Sequence, residues 1–231
     1  MLLMPPNQID TLNLSEMSKC SRKFFKTEYI KQEDNPIREL IKRMFLRSII
    51  KETDFRIASV NNIWDTIFWP GKEVNIANMN QSTRSVQLAF NLYKKIKEGE
   101  LEQVFPTKMV EHQLDAGLLI KSSCDFFVEY KDRFEGWIFL KSTPKEIRRT
   151  PLLQLEYYLV QQGVRTFHQK EFHLITYYLN DKNKTPIIFR TRKNYPIEEN
   201  RKVITLLSDQ FKRKISYPQE GSWCDDCKVK C

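Results

Sequence analysis

Apolar positions recur every three to four residues in some stretches of the chain and every second residue in others, and these two periods separate helices from strands. From Leu12 to Ile30, apolar Met17, Phe24 and Phe25 lie among basic Lys19, Arg22, Lys23 and Lys26, a helical pattern with Ser15 before its start. Asn35 followed by Pro36 predicts another helix start, and Ile37, Leu40, Ile41, Met44, Phe45 and Ile49 form its apolar stripe toward Glu52. Residues 53–80 follow neither period and hold Trp64, Trp69 and a Pro70-Gly71 turn. A further amphipathic helix is predicted from Ser82 to Lys97, with Gly99 placed to cap it.

Beyond Val110 the pattern changes to strand formers broken by polar turns. Val110 to Ile120, Ser123 to Tyr130 and Gly136 to Ser142 predict three successive strands, the last two joined by Lys131-Asp132-Arg133. Thr150-Pro151 opens a helix through Gln162, closed by Gly163, with the stripe Leu152, Leu155, Tyr158 and Leu159. Phe172 to Leu179 and Pro186 to Arg192 predict two more strands, linked by the polar run Asn180 to Lys184, and Ile197 to Lys214 predicts a basic amphipathic helix. Helices, three strands, helix, strands and helix make an α/β order. Without an internal repeat or low-complexity linker, residues 1–231 read as one domain: a mainly helical part over 1–100, an α/β core over 101–215 and a cysteine tail over 216–231.

Composition narrows the function classes. Thirty-eight Lys and Arg against 29 Asp and Glu give a net charge of +9, which favours a polyanionic partner such as nucleic acid. Three histidines, His112, His168 and His173, leave little room for histidine-based metal or acid–base chemistry, and the six glycines form no phosphate-cradling loop. No stretch has the apolar length of a membrane span. The opening Met1-Leu2-Leu3-Met4 lacks the basic and apolar runs of a secretory signal, so a reducing, cytoplasmic compartment is expected.

The tail Trp223-Cys224-Asp225-Asp226-Cys227-Lys228-Val229-Lys230-Cys231 concentrates three thiols, and thiolates clustered in a reduced protein point to a metal. A tetrahedral or cubane site needs a fourth ligand, for which Cys20 is the candidate. Such a centre would staple the two ends of the domain together. Structural zinc, an iron–sulfur cluster or, in a secreted protein, disulfides all use such spacing. Cys124, in an apolar stretch, reads as a buried thiol.

The chain resembles the PD-(D/E)XK nuclease superfamily, in particular the RecB-like branch that carries an iron–sulfur cluster. Four pieces carry the likeness. Leu14-Ser15-Glu16-Met17-Ser18-Lys19-Cys20-Ser21-Arg22-Lys23-Phe24 is similar to the branch's first-cysteine segment, and Asp125 in Ser123-Cys124-Asp125-Phe126 falls where the family places a metal-binding aspartate. Lys141 in Phe139-Leu140-Lys141-Ser142-Thr143 matches the lysine of Asp-x-Lys-Thr, and Gln154 and Tyr158 reproduce the Gln-x-x-x-Tyr helix motif that contacts DNA. The resemblance implies a restriction-endonuclease-like core, a mixed sheet flanked by helices, with the terminal segments joined by a 4Fe-4S cluster on Cys20, Cys224, Cys227 and Cys231, zinc being the alternative. It also implies a DNA substrate, a protein partner in a DNA-processing complex, and Mg2+ or Mn2+ held at Asp125 if the protein is catalytic.

One position departs from the pattern in a way that bears on chemistry. The family has Asp or Glu two residues before the lysine, where this chain has Phe139, on the same strand face as Lys141. The helix Pro36 to Glu52 also lacks the ligand histidine such proteins often carry, and Ser122 replaces a glycine. Glu111, Asp115 and Glu135 are the neighbouring carboxylates from which a migrated ligand would come. Metal-dependent cleavage is therefore expected to be weak or lost, leaving a nucleic-acid-binding or structural subunit.

Overall fold

The computed structural model describes residues 7–26, 91, 94–96, 98–106, 110–114, 117–140, 152–164, 169–178, 187–191 and 197–214. The helix predicted for residues 36–52, the aperiodic stretch 53–80, the helix predicted for 82–97 apart from residues 91 and 94–96, and Lys141, Asp115, His168, Cys224, Cys227 and Cys231 lie outside these residues.

The N-terminal segment forms a short strand β1 (Gln8–Asp10), a helix α1 (Thr11–Lys19) and a helix α2 (Ser21–Lys26). The helical pattern is thus real but broken at Cys20, and the cap is Asp10 rather than Ser15. Asp10 Oδ1 accepts from the Asn13 backbone N–H at 2.8 Å, while Ser15 is buried within α1. Cys20, at φ −160° and ψ 100°, ends α1 in extended geometry, and its carbonyl accepts from the Phe24 backbone N–H at 3.0 Å to begin α2. Its side chain is buried.

The main sheet has the order β2 (Leu101–Pro106), β5 (Phe126–Tyr130), β6 (Arg133–Leu140), β7 (Glu171–Tyr178) and β8 (Ile187–Arg190). All neighbours are antiparallel except β6 and β7, which are parallel with Arg133 opposite Glu171 and Leu140 opposite Tyr178. A parallel pair needs a long crossover, and here it contains α3 (Leu152–Gly163). A separate three-stranded sheet places β4 (Leu119–Lys121) between β1 and β3 (Glu111–Gln113). The continuous strand predicted from Val110 to Ile120 is therefore a hairpin, turned at Gly117 with φ 76°, a conformation open to glycine. The last described helix, α4 (Ile197–Lys212), ends near Lys214 at φ 51°.

Gly99 follows helical residues 94–96, where a cap was expected, and its N–H donates to the Ile96 carbonyl at 3.4 Å. A methyl there would lie 2.5 Å from Cε1 of Tyr130, so the position is glycine because the Tyr130 ring closes over it. Gly136 is enclosed in the same way, its would-be methyl 2.9 Å from Cys124 Sγ and 3.0 Å from a Phe127 ring carbon.

Strand alternation gives the main sheet two buried faces. Phe134, Ile138 and Leu140 of β6 join Phe127, Phe172 and Leu174 in a core completed by Leu152, Leu155 and Leu159 of α3 and by α1 and α4. On the opposite face Phe126, Trp137, Phe139 and Tyr177 close a four-ring cluster. The Phe126–Trp137 and Trp137–Tyr177 pairs are stacked with centroids 5.9 and 6.0 Å apart, within the favourable range for aromatic pairs. A strand buried on both faces reads as a nearly continuous apolar run, which is how Arg133–Leu140 reads. Among the described residues, no helix is long and apolar enough to cross a membrane.

Candidate functional site

Asp125 sits immediately before β5 and is 1% exposed. Its backbone N–H donates to the Trp137 carbonyl at 2.7 Å and its Oδ2 accepts from the Phe139 backbone N–H at 2.9 Å. The aspartate thus extends the β5–β6 pairing with its own side chain. Phe139, standing where a second carboxylate was sought, directs its ring into the aromatic cluster with Phe126 at 6.0 Å and Tyr177 at 6.1 Å. Burial in that cluster pushes the Tyr177 hydroxyl up to about 12.

The neighbouring carboxylates are otherwise engaged. Glu135 accepts from Arg133 Nε at 2.6 Å and from the Trp137 indole N–H at 3.0 Å, and its register partner on β5 is Val128. Glu111 is exposed on β3, in the other sheet. Among the described residues, no group of three or more His, Cys, Asp or Glu is placed to hold a metal ion.

The polar cluster beside Asp125 is one the sequence pattern did not single out. Glu156 of α3 is fully buried, and its carboxylate accepts from the Thr11 hydroxyl, from the Ser122 hydroxyl at 2.6 Å and from the Ser123 backbone N–H at 2.8 Å. Ser122 Oγ also accepts from the Cys124 backbone N–H at 3.0 Å, while Ser123 Oγ accepts from the Leu12 N–H at 2.8 Å and faces Asp10 Oδ1 at 3.2 Å. Ser122, where the resemblance implied a glycine, therefore has a defined task here. Burial raises the Glu156 pKa, although the Ser122, Thr11 and Ser123 hydrogen bonds oppose the shift. Burial, reinforced by the Glu156 charge, also holds the Cys124 thiol well above its usual range. One sequence signal existed: Glu156 is the sole charged residue of the helix Leu152–Gly163 and interrupts its apolar run.

The remaining candidates separate. Gln154 is half-buried on α3. Tyr158 is buried with its ring edge-on to His112 of β3, 5.8 Å between centroids, so it faces the gap between β3 and α4. It is Glu156, lying between these two, that reaches the segment leading into Asp125. Cys20 is buried at the α1–α2 break, while its three proposed partners and Lys141 lie outside the described residues.

Of the basic groups, Lys19 is buried and paired with Glu16, Arg190 is exposed on β8, and Arg213 is paired with Asp209 at 2.8 Å. Lys212 is half-buried and Lys214 exposed.

No family model matches the chain, and no curated protein matches it. Among solved structures, one described as the crystal structure of SSO0001 aligns with 97% of this chain and 84% of that chain at 11% identity, with a TM-score of 0.41. A likeness this loose bears on neither the fold nor the chemistry. What stands on the chain's own geometry is an α/β molecule with mixed sheets flanked by helices.

Proposed function

We propose that the chain is a nucleic-acid-binding protein of a reducing compartment, built on a scaffold like that of the RecB-like PD-(D/E)XK nucleases, with phosphodiester cleavage weak or lost. The order β2, β5, β6, then α3, then β7 parallel to β6 suits the strand-rich core with a helical crossover that the resemblance implies. The net charge of +9 supports a polyanionic partner.

The observation that carries the reading is the setting of Asp125. Phosphodiester hydrolysis of this type needs a divalent cation to activate water and to offset developing charge. A cation such as Mg2+ demands oxygen ligands in near-octahedral order. Asp125 is enclosed and already accepts the Phe139 N–H, and the position two residues before Lys141 contributes a ring instead of an oxygen. The described residues therefore do not fit a hydrolytic cation, and we derive no step through one.

Four cysteines are a fitting donor set for a 4Fe-4S cluster, as also for zinc. Cys20, Cys224, Cys227 and Cys231 would hold it, and its contribution would be to cross-link the two ends of the chain. Cys20 suits the part: its side chain is buried at the break between α1 and α2.

The test compares wild type, Phe139→Asp and Asp125→Asn on single- and double-stranded DNA and RNA, with Mg2+ or Mn2+. Asparagine keeps an acceptor for the Phe139 N–H while removing the charge. Expected are binding that weakens steeply with salt and little or no wild-type cleavage. Robust wild-type cleavage abolished by Asp125→Asn would overturn the loss of hydrolysis, and no binding to any of the four at low salt would reject a nucleic-acid partner.

A further inference from the structure

A groove of about 870 Å³ runs between β3, α3 and α4, and its chemistry differs from that of the Asp125 region. Its α4 wall presents Arg201, Lys202 and Lys212, none of which has an ion-pair partner among the described residues. Asp209 on the same wall is occupied by Arg213, which leaves Glu198 as the acid of this wall without an ion-pair partner among the described residues. Leu206 projects into the same groove at 59% exposure, with Leu114 on the β3 side. An exposed leucine beside cations that have no ion-pair partner among the described residues makes an apolar anchor site with a basic flank, the usual anatomy of a protein-recognition surface.

We propose that this groove binds an acidic peptide segment of a partner protein, one that carries aliphatic side chains between its carboxylates. The cations complement the acids, Leu206 and Leu114 receive an aliphatic side chain, and Glu198 disfavours a uniformly charged chain. A nucleic acid fits less well. Single strands are bound largely by stacking bases on aromatic faces, whereas of the groove's two aromatic rings Tyr158 is 3% exposed and the half-buried His112 is already engaged with it in a T-shaped contact. The α4 wall extends from Glu198 to Lys212, roughly 20 Å at the rise of a helix. About six residues of extended peptide cover that length. The inference does not rest on the nucleic-acid reading above.

The experiment is a fluorescence-anisotropy titration of the full chain with a labelled octapeptide alternating glutamate and leucine. Three further probes accompany it: the same peptide with serine for leucine, a lysine–leucine counterpart, and an eight-nucleotide oligothymidylate. The variants are the double reversal Arg201→Glu with Lys202→Glu, and Leu206→Ser, all at exposed positions, with circular dichroism reporting the fold. Expected are binding of the glutamate–leucine peptide, weakening of at least about ten-fold in the double reversal, and about five-fold in Leu206→Ser and with the serine peptide. If the double reversal perturbs the fold, Lys212→Glu takes its place with the same expectation. Equal affinity of the lysine–leucine peptide, peptide affinity unchanged in folded variants, or oligothymidylate alone responding to the charge reversals would each overturn the proposal.

Discussion

Glu156 collects donors from two distant parts of the chain, and substitution there separates two contributions to stability. Replacement by leucine removes the acceptor of the Thr11 and Ser122 hydroxyls and of the Ser123 N–H in a fully buried place, so a loss of about 3 kcal/mol is expected in urea unfolding. Glutamine keeps the shape and one acceptor oxygen, and its loss should be about half as large. The pH dependence has a definite sign. Because burial raises the folded-state pKa above the unfolded value, the protonated carboxyl favours the fold. That contribution is complete below the ordinary carboxylate pKa and is lost as pH rises through the raised value. The stability of wild type relative to Glu156→Gln should therefore fall from mildly acidic toward neutral pH, and a flat or rising difference would refute the assignment. The sequence showed a lone charge in an apolar helix but not its partners, because Thr11, Ser122 and Ser123 are brought to it only by the tertiary fold. Asp125 and Phe139 stood out in the sequence through the family resemblance, but the hydrogen bond that joins them, Phe139 N–H to Asp125 Oδ2, did not.

Among the elements, β2 is the clearest omission of pattern reading and the origin of another prediction. Leu101–Pro106 is short, half polar and closed by proline, all marks against a strand, yet an edge position tolerates them. A cation supplements its pairing with β5: Lys170 donates to Glu102 of β2, to Glu129 of β5 at 2.7 Å and to the Tyr130 carbonyl at 2.8 Å. Burial disfavours the Lys170 charge, but the Glu102 and Glu129 contacts outweigh it and raise the pKa. Lys170→Met would leave the buried Glu129 carboxylate without its cation, a loss of about 3 kcal/mol measurable as a fall in Tm. A change within about 0.5 kcal/mol would mean that the pair is dispensable. Strands β5 to β8 were legible as runs of strand formers between polar turns, and helices α3 and α4 by their helical period. The Val110 to Ile120 stretch misled because it is continuous in strand formers, and only Gly117 marks the turn.

For the molecule as a whole, the proposed cysteine centre yields a prediction that does not depend on cleavage. Anaerobically purified protein should be brown and hold iron and sulfide, and Cys20→Ser should bleach it and lower its Tm by several degrees. Colourless protein with stoichiometric zinc would replace the cluster by a zinc site, and a Cys20→Ser variant with unchanged metal content would remove Cys20 from the ligand set. Charge and cysteine spacing were visible at once in the sequence, whereas the groove was not, because it exists only where β3, α3 and α4 converge. The N-terminal strand has a consequence of another kind. Gln8–Asp10 finds its sheet partner at Leu119–Lys121, and Thr11 reaches its carboxylate only at Glu156. On a ribosome this strand emerges about 110 residues ahead of its sheet partner and must therefore wait, unpartnered, until that partner and then Glu156 follow. Its mix of polar residues with few aliphatic ones, Asn7-Gln8-Ile9-Asp10-Thr11, gives a nascent chain little to aggregate with during that delay.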